Sequence, residues 1–145
     1  MDDFLFSDTW ARACQIEINA SREYREAAAT WEDAVAFAMD QPGGLRAVFV
    51  DLWHGECREA RSALPGDLDR APYVIRGDEE TWHAVLEGRL EPLQALVMGT
   101  LKLEKGNLGA LAFHIRSARE LVACASRVRE KRASGAYSTP EQPGP

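Results

Sequence analysis

From Leu108 to Val128 the chain carries more apolar surface than a helix resting on one sheet can hide. At about 100° per residue, Leu108, Leu111, Ile115, Ala118, Val122 and Ala125 fall on one stripe. Ala110, Phe113, Leu121, Cys124 and Val128 fall on a second, roughly 120° away. Together they cover about 200° of the wheel, against about 100° for an ordinary surface helix. Arg116, Arg119, Glu120 and Arg127 occupy the remainder. Such a helix needs cover from other helices of the chain, from a second subunit, or from a bound apolar molecule. Periodicity does not choose among them, and helix packing within the chain is the simplest, because ligand cavities are few per protein.

The segments before it supply the candidate cover. Ser7 is placed to N-cap a helix with Trp10, Cys14 and Ile18 on one face, and Ser21 to cap a second through the alanine-rich REYREAAAT. WEDAVAFAMD is ambiguous: Val35, Phe37 and Met39 alternate as in a strand, while the intervening alanines favour a helix. Pro42-Gly43-Gly44 ends it either way. LRAVFVDLW reads as a strand with Val48, Val50 and Leu52 on one face and Ala47, Phe49 and Trp53 on the other. His54-Gly55-Glu56 turns it into a more polar strand, CREARSAL, and residues 65–70 form a loop. After the strand PYVIR, Asp78 caps a helix with Trp82, Val85 and Leu86 inward, and Gly88 ends it. Pro92 opens a short helix through Leu93, Leu96 and Val97, closed by Gly99. A last strand places Leu101 and Leu103 on one face, Gly106 turns, and Asn107 caps the closing helix over residues 108–128. Strands joined by a hairpin and flanked by helices make an α+β fold.

Composition narrows the function. A net charge of -6 disfavours a general nucleic-acid or anionic-membrane binder, since both need a cationic field. The three scattered cysteines, Cys14, Cys57 and Cys124, suit reduced thiols in a cytoplasm. No basic leader with a long apolar core opens the chain, no apolar run reaches the ~18 residues of a membrane span, and the C-terminus lacks a Ser-Lys-Leu peroxisomal address. A soluble cytoplasmic protein is expected, with residues 1–132 as one domain and 133–145 as a disordered tail.

GTLKLEKGNLGAL resembles the Gly-Lys-Leu-Lys…Gly-Asn segment of the type-2 sterol carrier protein family. YVIRGDEETWHAVLEGRLEPLQALVMG resembles the strand, acidic cap, tryptophan and short helix that precede that segment, and VFVDLWHGECREA sits where the family has a strand–turn–strand hairpin. The resemblance spans Trp10 to Val128 in order and spacing. It implies a five-stranded, mainly antiparallel sheet with helices packed on one face around a hydrophobic tunnel, and it makes WEDAVAFAMD the first strand. It also implies non-catalytic binding and transfer of a sterol, fatty acid or fatty acyl-CoA, without cofactor or metal. By position, the implied ligand-binding residues are Phe37, Val50, Ile75, Val97, Met98, Leu101, Leu103, Leu108, Leu111 and Ile115. About half of these are expected to touch ligand, because side chains divide between lumen and core. One departure is an extra residue in LEKGN, beside the start of the closing helix, which bears on ligand size.

The partners that follow are an apolar lipid ligand, transient membrane contact and a homodimer, with no nucleic acid. The rival reading is an interaction or dimerisation module with a collapsed tunnel. A thiol or metal enzyme is third: HGEC offers His54 and Cys57, and Cys14 or Cys124 with His83 or His114 offers a nucleophile–base pair. Hairpin geometry and buried inert thiols account for these residues more simply. Asp67 with Asp69, and Asp78-Glu79-Glu80, read as a solvated loop and a helix N-terminus rather than acid–base pairs. Arg116, Arg119, Arg127, Arg129, Lys131 and Arg132 complement a helix C-terminus, or alternatively meet an anionic headgroup, a CoA phosphate or a membrane.

Overall fold

The computed structural model describes residues 3–135. In chain order these form α1 (Asp8–Ala20), α2 (Arg22–Ala27), β1 (Val35–Gln41), β2 (Gly44–Trp53), β3 (Glu56–Ser62), α3 (Asp67–Arg70) and β4 (Tyr73–Asp78). Then come α4 (Glu79–Leu86), α5 (Pro92–Met98), β5 (Lys102–Lys105), α6 (Leu108–Phe113) and α7 (Ile115–Ala133). The expected caps are in place: Ser7 accepts from Trp10 N–H at 3.1 Å, Ser21 from Tyr24 N–H at 3.0 Å, Asp78 from Thr81 N–H at 2.8 Å and Asn107 from Ala110 N–H at 2.8 Å. The segment expected as a tail is helical at Ala133, and residues 136–145 lie outside the described ones.

The five strands run in the order β3-β2-β1-β4-β5. Pairings β1–β2, β2–β3 and β4–β5 are antiparallel, β2–β3 through the expected hairpin and the set as the resemblance implied, but β1 and β4 pair in parallel at the centre of the sheet. The parallel pair arises because the chain leaves the β3 edge, crosses under the sheet through α3 and returns on the far side of β1. Local hairpin signals carry no information about that crossover. The same connection replaces the loop expected at residues 65–70 with a helical turn.

The alternation seen in sequence divides the sheet. Val35, Met39, Val48, Val50, Leu52, Ala60 and Ile75 face the helices and join the main core. Ala36, Val74 and Ala71 form a small second cluster on the opposite face with Phe49 and Leu68. That face also carries ion pairs, Arg58 on Asp51 and Arg76 between Asp40 and Glu104, and the half-exposed Trp53 under Arg58.

The β2–β3 hairpin turns through His54 and Gly55, both at positive φ (50° and 84°), the pattern of a type I′ turn. His54 accepts this strained conformation because its backbone N–H donates to Trp31 O at 2.7 Å and its ring nitrogens lie 2.8 Å from Ala29 O and 2.7 Å from Glu32. Gly55 has no room to change: a Cβ there would stand 2.6 Å from the carbonyl oxygen of Arg25. Gly55→Ala is therefore expected to destabilise the fold by about 2 kcal/mol, read as a lowered denaturant midpoint at unchanged m-value.

The closing helix is two helices. It breaks at His114 (φ -102°, ψ 32°), where the ring Nδ1 lies 3.1 Å from Ala110 O, Nε2 lies 3.3 Å from the Thr30 hydroxyl, and the imidazole stands edge-on to Trp31. These side-chain contacts hold the bend, which no apolar periodicity records. Below it, α7 packs against α1, α2, α4 and α5 and so forms the central strut of the helical layer.

Candidate ligand cavity

Between the sheet and α7 lies a cavity of about 130 Å³ walled almost wholly by carbon. The sheet contributes Val35 and Phe37 from β1, Val50 and Leu52 from β2, Ala60 from β3 and Ile75 from β4. α1 supplies Trp10, Ala11, Cys14 and Ile18, while α2 supplies Tyr24. α4 supplies Trp82, Val85 and Leu86, and α5 supplies Pro92, Leu93 and Leu96. The far wall is Leu111, His114, Ile115, Ser117, Ala118, Leu121, Val122 and Ala125 of α6 and α7.

The surplus apolar surface of the closing helices is thereby divided. Leu111, Ile115, Ala118, Val122 and Ala125 of the first stripe face the cavity, with Leu121 of the second. Cys124 and Val128 of the second stripe are fully buried in the core, and Phe113 is 83% exposed. Of the kinds of cover anticipated for such a helix, packing by other helices of the chain is present, and the rest of its inner face borders an apolar space.

Six of the ten residues implied as ligand contacts line this cavity: Phe37, Val50, Ile75, Leu101, Leu111 and Ile115. Leu103 is half-buried at the sheet edge and packs on the core without bordering the cavity. Val97, Met98 and Leu108 are exposed and lie outside it. Val97 and Met98 follow the inward Leu93 and Leu96 on α5, where the helix turns its last residues to solvent before Gly99. The liners from α1 and α4 were legible as apolar faces, yet nothing in their spacing distinguished a wall from a dry core, and Tyr24 of α2 carried no such signal.

Most polar groups around the cavity are already used. Ser117 Oγ donates to Ala27 O at 2.9 Å, Trp82 Nε1–H to Ala38 O at 2.9 Å and Trp31 Nε1–H to Asp33 O at 2.6 Å. The three cysteines are buried and free. Burial raises the proton affinity of all three thiols, pushing Cys57 up to about 12, and Cys124 stays raised despite the Arg127 guanidinium at 3.2 Å. None is therefore a thiolate at neutral pH, and a cysteine nucleophile has no support here. At about pH 8 a disulfide-exchange reagent is expected to modify no cysteine of the folded protein and all three once it is unfolded. Rapid labelling of one thiol in the native state would contradict this.

The remaining sequence candidates have structural employment. His54 is held by Ala29 O and Glu32, and among the described residues no group of three His, Cys, Asp or Glu could hold a metal ion. Asp67 accepts from Arg61, Arg70 and the Leu64 N–H. In the basic cluster, Arg119 pairs with Glu91, Arg127 and Lys131 with the buried Glu17, and Arg132 lies over the Phe4 ring. No helix among the described residues is long and apolar enough to cross a membrane.

Residues 13–113 match the SCP-2 sterol transfer family. The chain belongs to that family. A crystal structure of sterol carrier protein 2 is 44% identical, with a TM-score of 0.77 over 84% of this chain and 97% of the other. A conserved hypothetical protein from Thermus thermophilus is 45% identical, with a TM-score of 0.76 over 85% of this chain and 88% of the other. The apo sterol carrier protein 2 of Yarrowia lipolytica shares the fold at 14% identity, with a TM-score of 0.60 over 87% and 96% of the two chains. No curated protein matches in sequence. The apolar space lies between β1–β4 of the sheet and the helices α1, α2, α4, α5, α6 and α7, while α3 packs on the other face.

Proposed function

We propose that this protein binds one apolar lipid in the cavity between the sheet and α7 and carries it through water without chemical change. The observation that carries the reading is the cavity itself, about 130 Å³ with almost no polar wall. An engineered apolar cavity of about 150 Å³ in another protein stays dry and accepts benzene, so a space of this class is a site for hydrocarbon rather than water. A longer chain enters as the half-buried Leu93, Leu96, Leu111 and Ile115 yield between α5 and the α6–α7 bend. Each methylene that enters adds about 0.8 kcal/mol, so affinity follows the length of hydrocarbon admitted. A fatty acid is a natural first probe, since the Aedes aegypti sterol carrier protein, of the same fold at 13% identity, forms a complex with palmitate.

The test is native mass spectrometry on gently purified protein, followed by denaturing release and identification of any carried molecule. A stoichiometric fatty acid, acyl-CoA or polycyclic lipid supports the carrier. Apo protein that also ignores a fluorescent acyl probe removes it. A second reading, self-association through the same helices, draws on the exposed Val97, Met98, Leu108 and Phe113 of α5 and α6. Sedimentation as a monomer at the highest soluble concentration ends that reading.

A further inference from the structure

We propose that the Glu91–Arg119 ion pair is a latch on the cavity, and that the lipid passes when the first turn of α5 swings away from α7. This rests on the cavity being the binding site. The cavity residues of α1, α2 and α4 are all buried. By contrast, Pro92, Leu93 and Leu96 of α5 and Ile115, Ala118 and Val122 of α7, two helices in contact, are half-buried. Solvent therefore meets the apolar wall along the seam between α5 and α7. Across that seam Arg119 Nε–H donates to Glu91 Oε2 at 3.0 Å. Both partners adjoin the wall in sequence, Glu91 directly before Pro92 and Arg119 directly after Ala118.

The rest of α5 is arranged so that this end is the one that can part. Residues 92–98 contain no charged side chain, so the N-cap Glu91 is the one group through which α5 can be ion-paired. Among the described residues, 92–98 make no hydrogen bond to α7. The far half of the helix is pinned: Ala95 is wholly buried, and its carbonyl accepts from Leu101 N–H at 3.1 Å and from the Thr100 hydroxyl at 3.2 Å. Ahead of the latch, residues 87–89 are exposed, and Gly88, at positive φ with open space around it, gives the connection slack. Glu91 Oε1 meanwhile accepts from Leu93 N–H at 3.1 Å, so one carboxylate both starts α5 and ties it down. The latch is a light one. Arg119 is more than half exposed, and such a pair is weak and screened by salt. Since the pair closes over an empty cavity and a filled one alike, breaking it speeds entry and exit together and leaves affinity unchanged.

The experiment follows cis-parinaric acid, a fluorescent fatty acid, into and out of wild type and Arg119→Gln by stopped flow, with equilibrium titrations and thermal melts. Arg119 is exposed and glutamine is a good helix former, so the variant should melt close to wild type. We expect both rates to rise about two- to fivefold at unchanged affinity. High salt should speed exchange in wild type and not in the variant. A second variant, Glu91→Cys with Arg119→Cys, is joined by a short bismaleimide, to which the buried native thiols are inert. Joining should slow exchange far below that of the unjoined variant. Rates in Arg119→Gln equal to those of wild type overturn the latch. A changed affinity with only one rate altered makes Arg119 a ligand contact and overturns it too. Undiminished exchange in the joined protein puts the entrance elsewhere, overturning the proposal while leaving the cavity reading intact. Failure of wild type to bind cis-parinaric acid at all overturns the cavity reading and the latch with it.

Discussion

Ala118→Phe is expected to abolish ligand uptake while the protein stays folded. Ala118 sits on the cavity face of α7, half-buried, with only a methyl group to offer. A phenyl ring placed there occupies the kind of space that takes a benzene molecule in a dry cavity of comparable size. If the ring displaces about four methylenes of ligand, at about 0.8 kcal/mol each, affinity falls by about 3 kcal/mol, or about a hundredfold. Stability should change far less. Filling a void adds contacts worth about 24 cal/mol per Å³ at best, and crowding of neighbours takes back about 1–3 kcal/mol. The check is titration of wild type and variant with the same acyl probe, alongside thermal melts. An unchanged melt with affinity within severalfold of wild type would place the ligand elsewhere.

Asp67→Ala is expected to destabilise the fold by about 3 kcal/mol, for a reason unrelated to ligand. The Asp67 carboxylate is 2% exposed and takes hydrogen bonds from Arg61 at 2.6 Å, Leu64 N–H at 2.6 Å and Arg70 at 3.0 Å. It ties the crossover through α3 to the end of β3. Removing it leaves Arg61, itself stacked on Phe49, with only the more exposed Glu59 carboxylate at 3.3 Å. Because Arg70 remains largely open to water, the low end of the range for broken buried pairs applies. The Arg61 hydrogen bond, foremost, holds the Asp67 carboxyl below its ordinary range. The folded state therefore binds this proton less readily than the unfolded chain. Its contribution is fully present above the unfolded value of about 4 and is lost as pH falls through the lower folded value. Denaturant midpoints of wild type and Asp67→Ala should stand well apart at neutral pH and converge on acidification. A gap that is constant down to pH ~2 would mean that the carboxylate charge is not what stabilises the crossover.

Much of this architecture was legible from residue pattern. Capping residues at Ser7, Ser21, Asp78 and Asn107 located four helix starts, because a side-chain oxygen at that position meets a local and nearly obligatory need. The His54-Gly55 turn was legible for the same kind of reason. WEDAVAFAMD was not: alanine is compatible with both periods, and only the neighbours of β1 on either side make it a strand. The parallel β1–β4 pair depends on a connection of about thirty residues whose path no local rule specifies. For the cavity, width of apolar surface on the closing helix signalled that something unusual had to cover it. Which residues face space and which face neighbours depends on sub-ångström packing, so Leu101 and Leu103 read alike in sequence and part company in the structure.

The cavity walls come from helices far apart in sequence. Trp10 and Cys14 on α1 close it from one side, and Leu121 and Ala125 on α7 from the other. Until α7 docks, the apolar faces of α1 and the sheet have no roof, so the cavity exists only once these two distant helices have met. A ligand of the kind proposed would favour only that closed state, stabilising it by RT ln(1 + [L]/Kd). Occupancy would then report a long-range contact: a filled cavity is one whose α1 and α7 walls are both in place.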